Sequence, residues 1–501
     1  MGVINTIKNW FTRGKGIVNP IKSILDHERV AVSKEEYARI QENLRYYESR
    51  DNRVSYTNTE YQIRERDFKH LPIARTACKK IAGLIYNEQA EVKIDNEAAN
   101  EFINETLKRD RFNKNFERYL ESALALGGMA MRPYLDGERI RVAFIQAPVF
   151  FPSQTNTQDI SSAVIAMKST KADKNNIRYY TLLEIHEWLS DGKYKISNEL
   201  YRSDIKENLG NQVPLSELYD DLEESTVFTG LSRPLFTYFR TPGMNNKDIN
   251  SSLGLSIFDN AKTTIDFINT TYDEFAWEIK MGQRRVAVPA QTVRTYYDQR
   301  GDKVVMKQHF DPDQNVFVQL DSGADDKPVG VHDLTTEIRS ESYIAAINQG
   351  LKLFEMQIGV SSGMFTFDGK SMKTATEVVS ENSDTYQMRN SIVSLVEHSM
   401  SELIVSICEL AKATGLYTGE IPTLDEITIN LDDGIFADKN AELDYWSKAL
   451  AAGLVPKRYA IEKALGMTEE QAQVLADEIE KETTQAMNRN RSQFDIDVYG
   501  E

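Results

Sequence analysis

From Phe258 onward the apolar residues fall three and four apart, at Phe258, Ala261, Ile265, Ile268, Tyr272, Phe275 and Ile279. That spacing lines one narrow stripe of a helix, and three heptads of it predict a long helix packed along its length. The same spacing returns at Ile344, Ile347, Leu351, Phe354 and Ile358. Two paired helices therefore bracket 281–337. Between them RRVAVPAQTVRTYY and KVVMKQHF read as short strands, Pro289 interrupts one, and 321–330 is rich in Gly, Asp and Pro. The bracketed part reads as a small β module on a two-helix stalk.

Ahead of the stalk, the first 250 residues mix helical and strand patterns. Ile73, Ala77, Ile81 and Leu84 share one face of a helix predicted over 67–86, with Pro72 suited to its first turn. Phe116, Leu120 and Leu124 predict another over 113–126, stopped by Gly127 and Gly128. MAMRPYLDGERIRVAFI alternates around Asp136-Gly137, a hairpin pattern, and strand-like runs follow at 177–189, 193–201 and 234–240.

After the stalk, SSGMFTFDGKSMKT is polar and glycine-containing between helical neighbours. Thr374 and Glu377 have the spacing of a capping box, in which hydroxyl and carboxylate satisfy free N–H groups at a helix start. The helix they open runs over 375–413, packs through Val396, Met400, Leu403, Ile407 and Leu410, and ends near Gly415. EITINLD reads as one strand. The last sixty residues carry compact helix punctuation: a helix over 439–451, Gly453, Pro456, Gly466, then Thr468 with Gln471 as a second capping box. The class is α+β, and no internal repeat occurs.

Bulk properties narrow the function. The 501 residues, 41% hydrophobic and 27% charged, are those of an ordinary globular chain with room for several packed units. The two cysteines, Cys78 and Cys408, lie in apolar helical patterns and read as small buried hydrophobes in a reducing compartment. No run of about 18 uncharged apolar residues occurs, so no membrane span is expected. The N-terminus reads as a short amphipathic helix through Ile4, Ile7, Trp10 and Phe11, not a cleaved leader. A formal charge of −17 argues against gripping nucleic acid through its phosphates, so contact with DNA should be loose.

Candidate chemistry is sparse. Gly369-Lys370-Ser371 resembles the end of a phosphate-cradling loop, but Gly363 and Gly369 have one residue too many between them and no strand precedes. The histidines, His27, His70, His186, His309, His332 and His398, are scattered, and none joins Cys or carboxylate at a metal-motif spacing. No catalytic residue, cofactor or metal is expected. On the first stalk helix, Asp259, Asp266, Asp273, Glu274 and Glu278 stand against Lys262 and Lys280. They read either as a solvated face or, in a ring, as acids lining a channel.

Five segments carry a resemblance: CKKIAGLIYNEQAEV at 78–92, ALGGMAMRPYLDGERIRVAFIQAPVFFP at 125–152, PLFTYFRTPGMNNKDINSSLGLSIFDNA at 234–261, KTATEVVSE at 373–381, and DDGIFADKNAELDYWSKALAAGLVPKRYAIEKALG at 432–466. In kind and order they resemble the portal proteins of tailed bacteriophages, especially those of siphophages of Gram-positive hosts. The resemblance implies a non-enzymatic, dodecameric ring at one capsid vertex, assembled in the host cytoplasm, through which DNA passes on packaging and ejection. It implies a wing over 1–250, stem helices at 251–280 and 338–358, a clip at 281–337, a tunnel loop at 359–374, a long helix returning to the wing over 375–431, and a crown at 432–501. Phe365, Phe367, Lys370 and Lys373 would face DNA from the loop, which is locally basic with only Asp368 opposed. Asp259, Asp266, Asp273 and Glu278 become channel candidates. The implied partners are double-stranded DNA, the terminase large subunit, a head-completion or adaptor protein, and the major capsid and scaffolding proteins, with no membrane.

Overall fold

A computed structural model describes 23–481, apart from 50–52, 58–60, 87–89, 157–158, 174–175, 366–382, 432–438, 466 and 468–471; of 283–334 it describes only strand backbone. The chain divides into two compact units, Met1–Ser371 with Glu381–Leu431, and Met372–Ser380 with Asp432–Glu501. Helices and largely antiparallel sheets make it α+β.

The first unit opens with α1 (Lys34–Glu48), whose N-cap Ser33 accepts from the Glu36 N–H. Its polar composition hides it from periodicity, and it is a helix the pattern missed. A hairpin of β1 (Arg53–Thr57) and β2 (Ile63–Asp67) follows. Helix α2 (Ile73–Ile85) starts later than 67: β2 ends on Asp67, and Leu71, before Pro72, is disfavoured in a helix. It buries Ile73, Ala77, Cys78, Ile81 and Ile85. Then come β3 (Glu91–Ile94), α3 (Glu97–Arg109), which begins at the Asn96 cap, and α4 (Phe112–Leu126).

Strands β4 (Gly128–Asp136) and β5 (Arg139–Gln146) pair with Asp136 opposite Arg139, so the predicted turn closes through Gly137 at φ 62°. The main sheet is built from β6 (Phe150–Thr155), β7 (Ile160–Asp173), β8 (Asn176–Trp188), β9 (Tyr194–Ser203) and β10 (Asn211–Val213). Its order is β10-β9-β8-β7-β6, antiparallel throughout, with β11 (Ser225–Phe228) also on β9. Strand β12 (Thr237–Arg240) joins β4 instead.

The stalk is α5 (Lys262–Met281), preceded by a short 3-10 turn, and α6 (Ser340–Ile358). Between them lie β13 (Val286–Pro289), β14 (Tyr297–Arg300), β15 (Lys303–Met306), β16 (Phe317–Leu320) and β17 (His332–Asp333). Strand β13 pairs parallel with β16 and antiparallel with β17, while β14 and β15 form a hairpin. Helix α7 (Ser383–Ala413) is described from Ser383; Thr374 and Glu377, the predicted cap, lie outside the described residues. After α7 the chain returns as β18 (Ile427–Asn430), paired with β3.

By length and composition α7 would suit a membrane span, yet 56% of its most apolar window is buried inside the fold. Glu409 accepts from the Ser232 N–H at 2.8 Å and Glu402 from the Thr237 hydroxyl at 2.8 Å. Bonded carboxylates on a buried face mark it as a core helix. The core runs continuously through Phe116, Leu120, Phe258, Ile265, Phe354, Val396 and Ile404.

The second unit holds α8 (Lys439–Ala451), α9 (Lys457–Leu465) and α10 (472–481). Gly453, at φ 68°, lies in the turn between α8 and α9, where the sequence placed a stop.

Candidate functional site

The two stalk helices are antiparallel, as three contacts at increasing distance from the core show. Gly350 lies under Ile268: a Cβ added there would come within 2.7 Å of Ile268 Cγ1. Phe275 stacks on Tyr343 with ring centroids 5.2 Å apart. Farther out, Arg339 Nη2 donates to Glu278 Oε2 at 2.6 Å and the Arg339 N–H to Oε1 at 3.0 Å. Phe258, Ala261, Ile265, Ile268, Ile347, Leu351 and Phe354 are buried along the seam, and Tyr272 is partly so. Ile344 and Ile279 are 46% and 47% exposed, so the predicted stripe leaves the pair toward its outer end.

The acids of α5 and the turn before it do not act alike. Asp259 is buried, accepting from Arg39 Nη1 and Asn43 Nδ2 at 2.8 Å each, with Lys262 Nζ at 3.0 Å. Burial alone would raise its pKa, but the Asn43, Arg39 and Lys262 contacts outweigh it and hold the carboxyl below its ordinary value. Asp273 is buried under a two-pronged Arg66 guanidinium, both contacts 2.6 Å, and also accepts the Lys69 N–H. The Arg66 hydrogen bonds lower its pKa. Both acids are paired with cations of the same chain. Asp266 is exposed, bonded by the Tyr46 hydroxyl at 2.9 Å. Glu278 is half-buried, and its bonds from Arg339 pull its pKa down to about 2.

Where α6 meets α7, the chain between them is gripped on both flanks. Helix α6 ends at Gly359, φ 75°. Glu355, fully buried, turns its carboxylate onto the Gly363 N–H at 2.9 Å and the Phe365 N–H. Thr385 Oγ1 accepts from the Ser361 N–H. From α2, Lys80 Nζ donates to the Met364 carbonyl at 2.8 Å and sits 5.2 Å from the Phe365 ring centre. Phe365 also meets Phe354 edge-on. It is thus a half-buried residue at the base of this segment. Phe367, Lys370 and Lys373 lie outside the described residues. Six residues past Ser383 in α7, Arg389 donates to the Leu84 carbonyl at 2.7 Å and the Leu431 carbonyl at 2.8 Å, tying α2 and the end of β18 to the same base.

Sequence reasoning missed Lys80, Glu355, Ser361, Thr385, Arg389 and Arg339. One signal was present: Glu355 sits on the apolar face of α6 beside Leu351, Phe354 and Ile358, where a carboxylate requires buried donors.

Reactive chemistry is not assembled among the described residues. No group of three or more His, Cys, Asp or Glu is placed to hold a metal. Cys78 and Cys408 are free and buried, and burial raises both thiols, Cys408 to about 12, where a nucleophilic thiolate is absent at neutral pH. His186 is enclosed between Tyr194 Oη at 2.8 Å and Glu184 Oε1 at 2.6 Å, with Arg132 on the other Glu184 oxygen, a brace joining β4 to β8.

Two of the segments that carry the resemblance, 125–152 and 234–261, meet inside the first unit. Gly127 and Gly254 touch backbone to backbone, where a Cβ on either would clash, and the Thr241 hydroxyl donates to the Leu255 carbonyl at 2.6 Å. CKKIAGLIY supplies Lys80 to the loop base. No curated protein sequence matches the chain. A family model described as phage portal protein, SPP1 Gp6-like, matches residues 26–485. Nearly the whole chain is covered, including the stalk, the gripped loop base and the C-terminal helices, and the protein belongs to the SPP1 Gp6-like family of phage portal proteins.

Proposed function

We propose that this subunit forms the DNA-conducting ring of a phage head, a dodecamer that passes the genome inward on packaging and outward on ejection. Membership of the family makes the chain a structural, non-enzymatic subunit of a homo-oligomeric ring at the virion capsid vertex. The finer reading is that 281–337 is the clip that docks the terminase large subunit and then a head-completion protein. In the same reading 359–374 is the tunnel loop, 432–501 is the crown, and the ring, assembled in the host cytoplasm, nucleates procapsid growth with capsid and scaffolding proteins. Force would come from the terminase ATPase.

The observation that carries this reading is the loop base. A segment containing Lys370 and Lys373, in a chain of charge −17, springs from a mount built by Glu355, Ser361, Thr385, Lys80 and Arg389. A rigid mount under a locally basic segment suits brief phosphate contact without tight binding. Asp266 and Glu278 remain the acids proposed to face the bore.

Two-dimensional class averages of the purified protein test the ring, and packaging with the cognate terminase tests the conduit. A closed ring with a central hole, and packaging altered by Lys370→Ala with Lys373→Ala while the ring persists, are expected. A monomer or open filament would instead favour a capsid or tail adaptor without a channel.

A further inference from the structure

Two connections join 283–337 to the stalk, one leaving the end of α5 and one returning to the start of α6. Motion against the support is the default for a module held in this way. Here the two connections stay side by side. Phe275 stacks on Tyr343 within the stalk. Three residues on, Glu278 meets Arg339. Past the helix end, a Cβ added to Gly282 would lie 3.0 Å from Ile338 Cγ1. Val286 then pairs with Asp333 and Ala287 with His332. The antiparallel register of the helix pair therefore runs on into β13 and β17.

Glu278 carries the most directional of these contacts. Its carboxylate takes three donors from one residue: the Arg339 N–H at 3.0 Å and Nε at 3.2 Å on Oε1, and Nη2 at 2.6 Å on Oε2. The Arg339 guanidinium also lies 5.6 Å from the Tyr343 ring centre. Most exposed ion pairs contribute little, because holding two long side chains in one geometry costs entropy. This pair differs in its geometry. A forked guanidinium on both carboxylate oxygens fixes one orientation, and the backbone donor ties that orientation to the start of α6. Such a contact sets direction more than it adds stability.

We propose that Glu278 and Arg339 are positioning residues that stiffen the neck between the stalk and 283–337. The paired strands β13 and β17 then move with the stalk and not on their own, and a protein docking on 283–337 meets it in one orientation. The neck stands on these contacts alone, whereas its use in docking rests on the reading of 283–337 as the terminase-docking clip. A face already held in its bound orientation binds without the cost of ordering it.

Hydrogen exchange and terminase binding, both on full-length rings, test it. Arg339→Met keeps an unbranched side chain and removes the fork. Amides of 286–289 and 332–333 should then exchange about tenfold or more faster, while α4 and α6 exchange as in the parent. The terminase large subunit should bind roughly fivefold or more weakly, with ring formation and melting temperature unchanged. Gly282→Cys with Ile338→Cys, added to Arg339→Met, sets two thiols across the neck. Closed to a disulfide by oxidised glutathione, they should restore slow exchange and tight binding, and a reductant should undo both. Parent-like exchange in Arg339→Met overturns the proposal. Fast exchange with parent-like terminase binding overturns the positioning role. Parent rings that bind no terminase overturn the clip reading instead, a result distinct from any change in exchange.

Discussion

Ser361 and Thr385 each hold the other's backbone: Thr385 Oγ1 accepts from the Ser361 N–H at 2.9 Å, and Ser361 Oγ from the Thr385 N–H at 3.2 Å. Both residues are buried, so the end of α6 and the described start of α7 are fixed side by side. Thr385→Val keeps the volume and removes the acceptor, stranding a buried N–H at a cost of about 1–3 kcal/mol. Faster amide exchange at Ser361 and a lower melting temperature are expected, with Thr385→Ser restoring both. Unchanged exchange would show the reciprocal pair to be dispensable.

Asp259 and its partners are the second mount. Asp259→Asn keeps the shape and removes one of the two carboxylates that Arg39 meets, the other being Glu36, and one of the two that Lys262 meets, the other being Glu42. Removing one member of such a network costs about 3–5 kcal/mol. Reduced soluble yield and an earlier denaturant midpoint are expected, and combining the change with Arg39→Met should recover part of the loss. A midpoint equal to the parent's would mean that the network contributes little.

Gly254→Ala tests the contact between the second and third resemblance segments. The added methyl carbon would lie 2.2 Å from the Gly127 carbonyl oxygen and 2.6 Å from Thr241 Oγ1. Neither can yield easily, since one is backbone and the other bonds two carbonyls. Overpacking of this kind costs about 1–3 kcal/mol or more, which chemical denaturation would register. By contrast Gly230→Ala, with open space around it, should lose less, its cost being backbone strain at φ 77° alone.

The strongly periodic parts of the fold were readable from residues alone. Both stalk helices, the hairpin at Gly137 and the buried face of α7 follow from spacings that only one secondary structure satisfies. Helix α1 was not readable, because its buried positions are Glu36, Arg39, Ile40 and Asn43, and a polar buried face leaves no hydrophobic period. The loop base escaped for a related reason. Its grip joins Lys80, Glu355 and Arg389 across hundreds of residues, and single polar residues in a helix do not announce distant partners. Charge counting likewise could not separate Asp259 and Asp273, paired inside the chain, from Asp266, which points outward.

Asp273 makes part of the stability depend on pH. Its pKa is lowered in the folded state by Arg66, whereas an unfolded aspartate titrates near about 3.9. The contribution is therefore complete above that unfolded value and is lost as pH falls through the lower folded one. Between pH 7 and pH 5 this pair should change nothing. Between pH 5 and pH 3 the parent should lose more stability than Asp273→Asn, so the two midpoints converge. Parallel curves across that range would contradict the assignment.

Lysine substitutions separate structural acids from an acid proposed to meet the bore. At Asp259 and Asp273 a lysine would bury a second cation beside Arg39 or Arg66, so the expected result is misfolding, which says nothing about DNA. Asp266 is exposed, and its Tyr46 hydroxyl bond is a surface contact worth about 1 kcal/mol or less. Asp266→Lys should therefore fold, assemble and melt like the parent. If Asp266 faces the channel as proposed, the substitution places a cation at every copy around the ring, each able to hold a phosphate, and packaging should slow or stall. The effect should weaken as salt rises and screens the contact. Asp266→Asn, which removes the charge without reversing it, should have a smaller effect. Rings carrying Asp266→Lys that package at the parent rate in low salt would place Asp266 away from the DNA path.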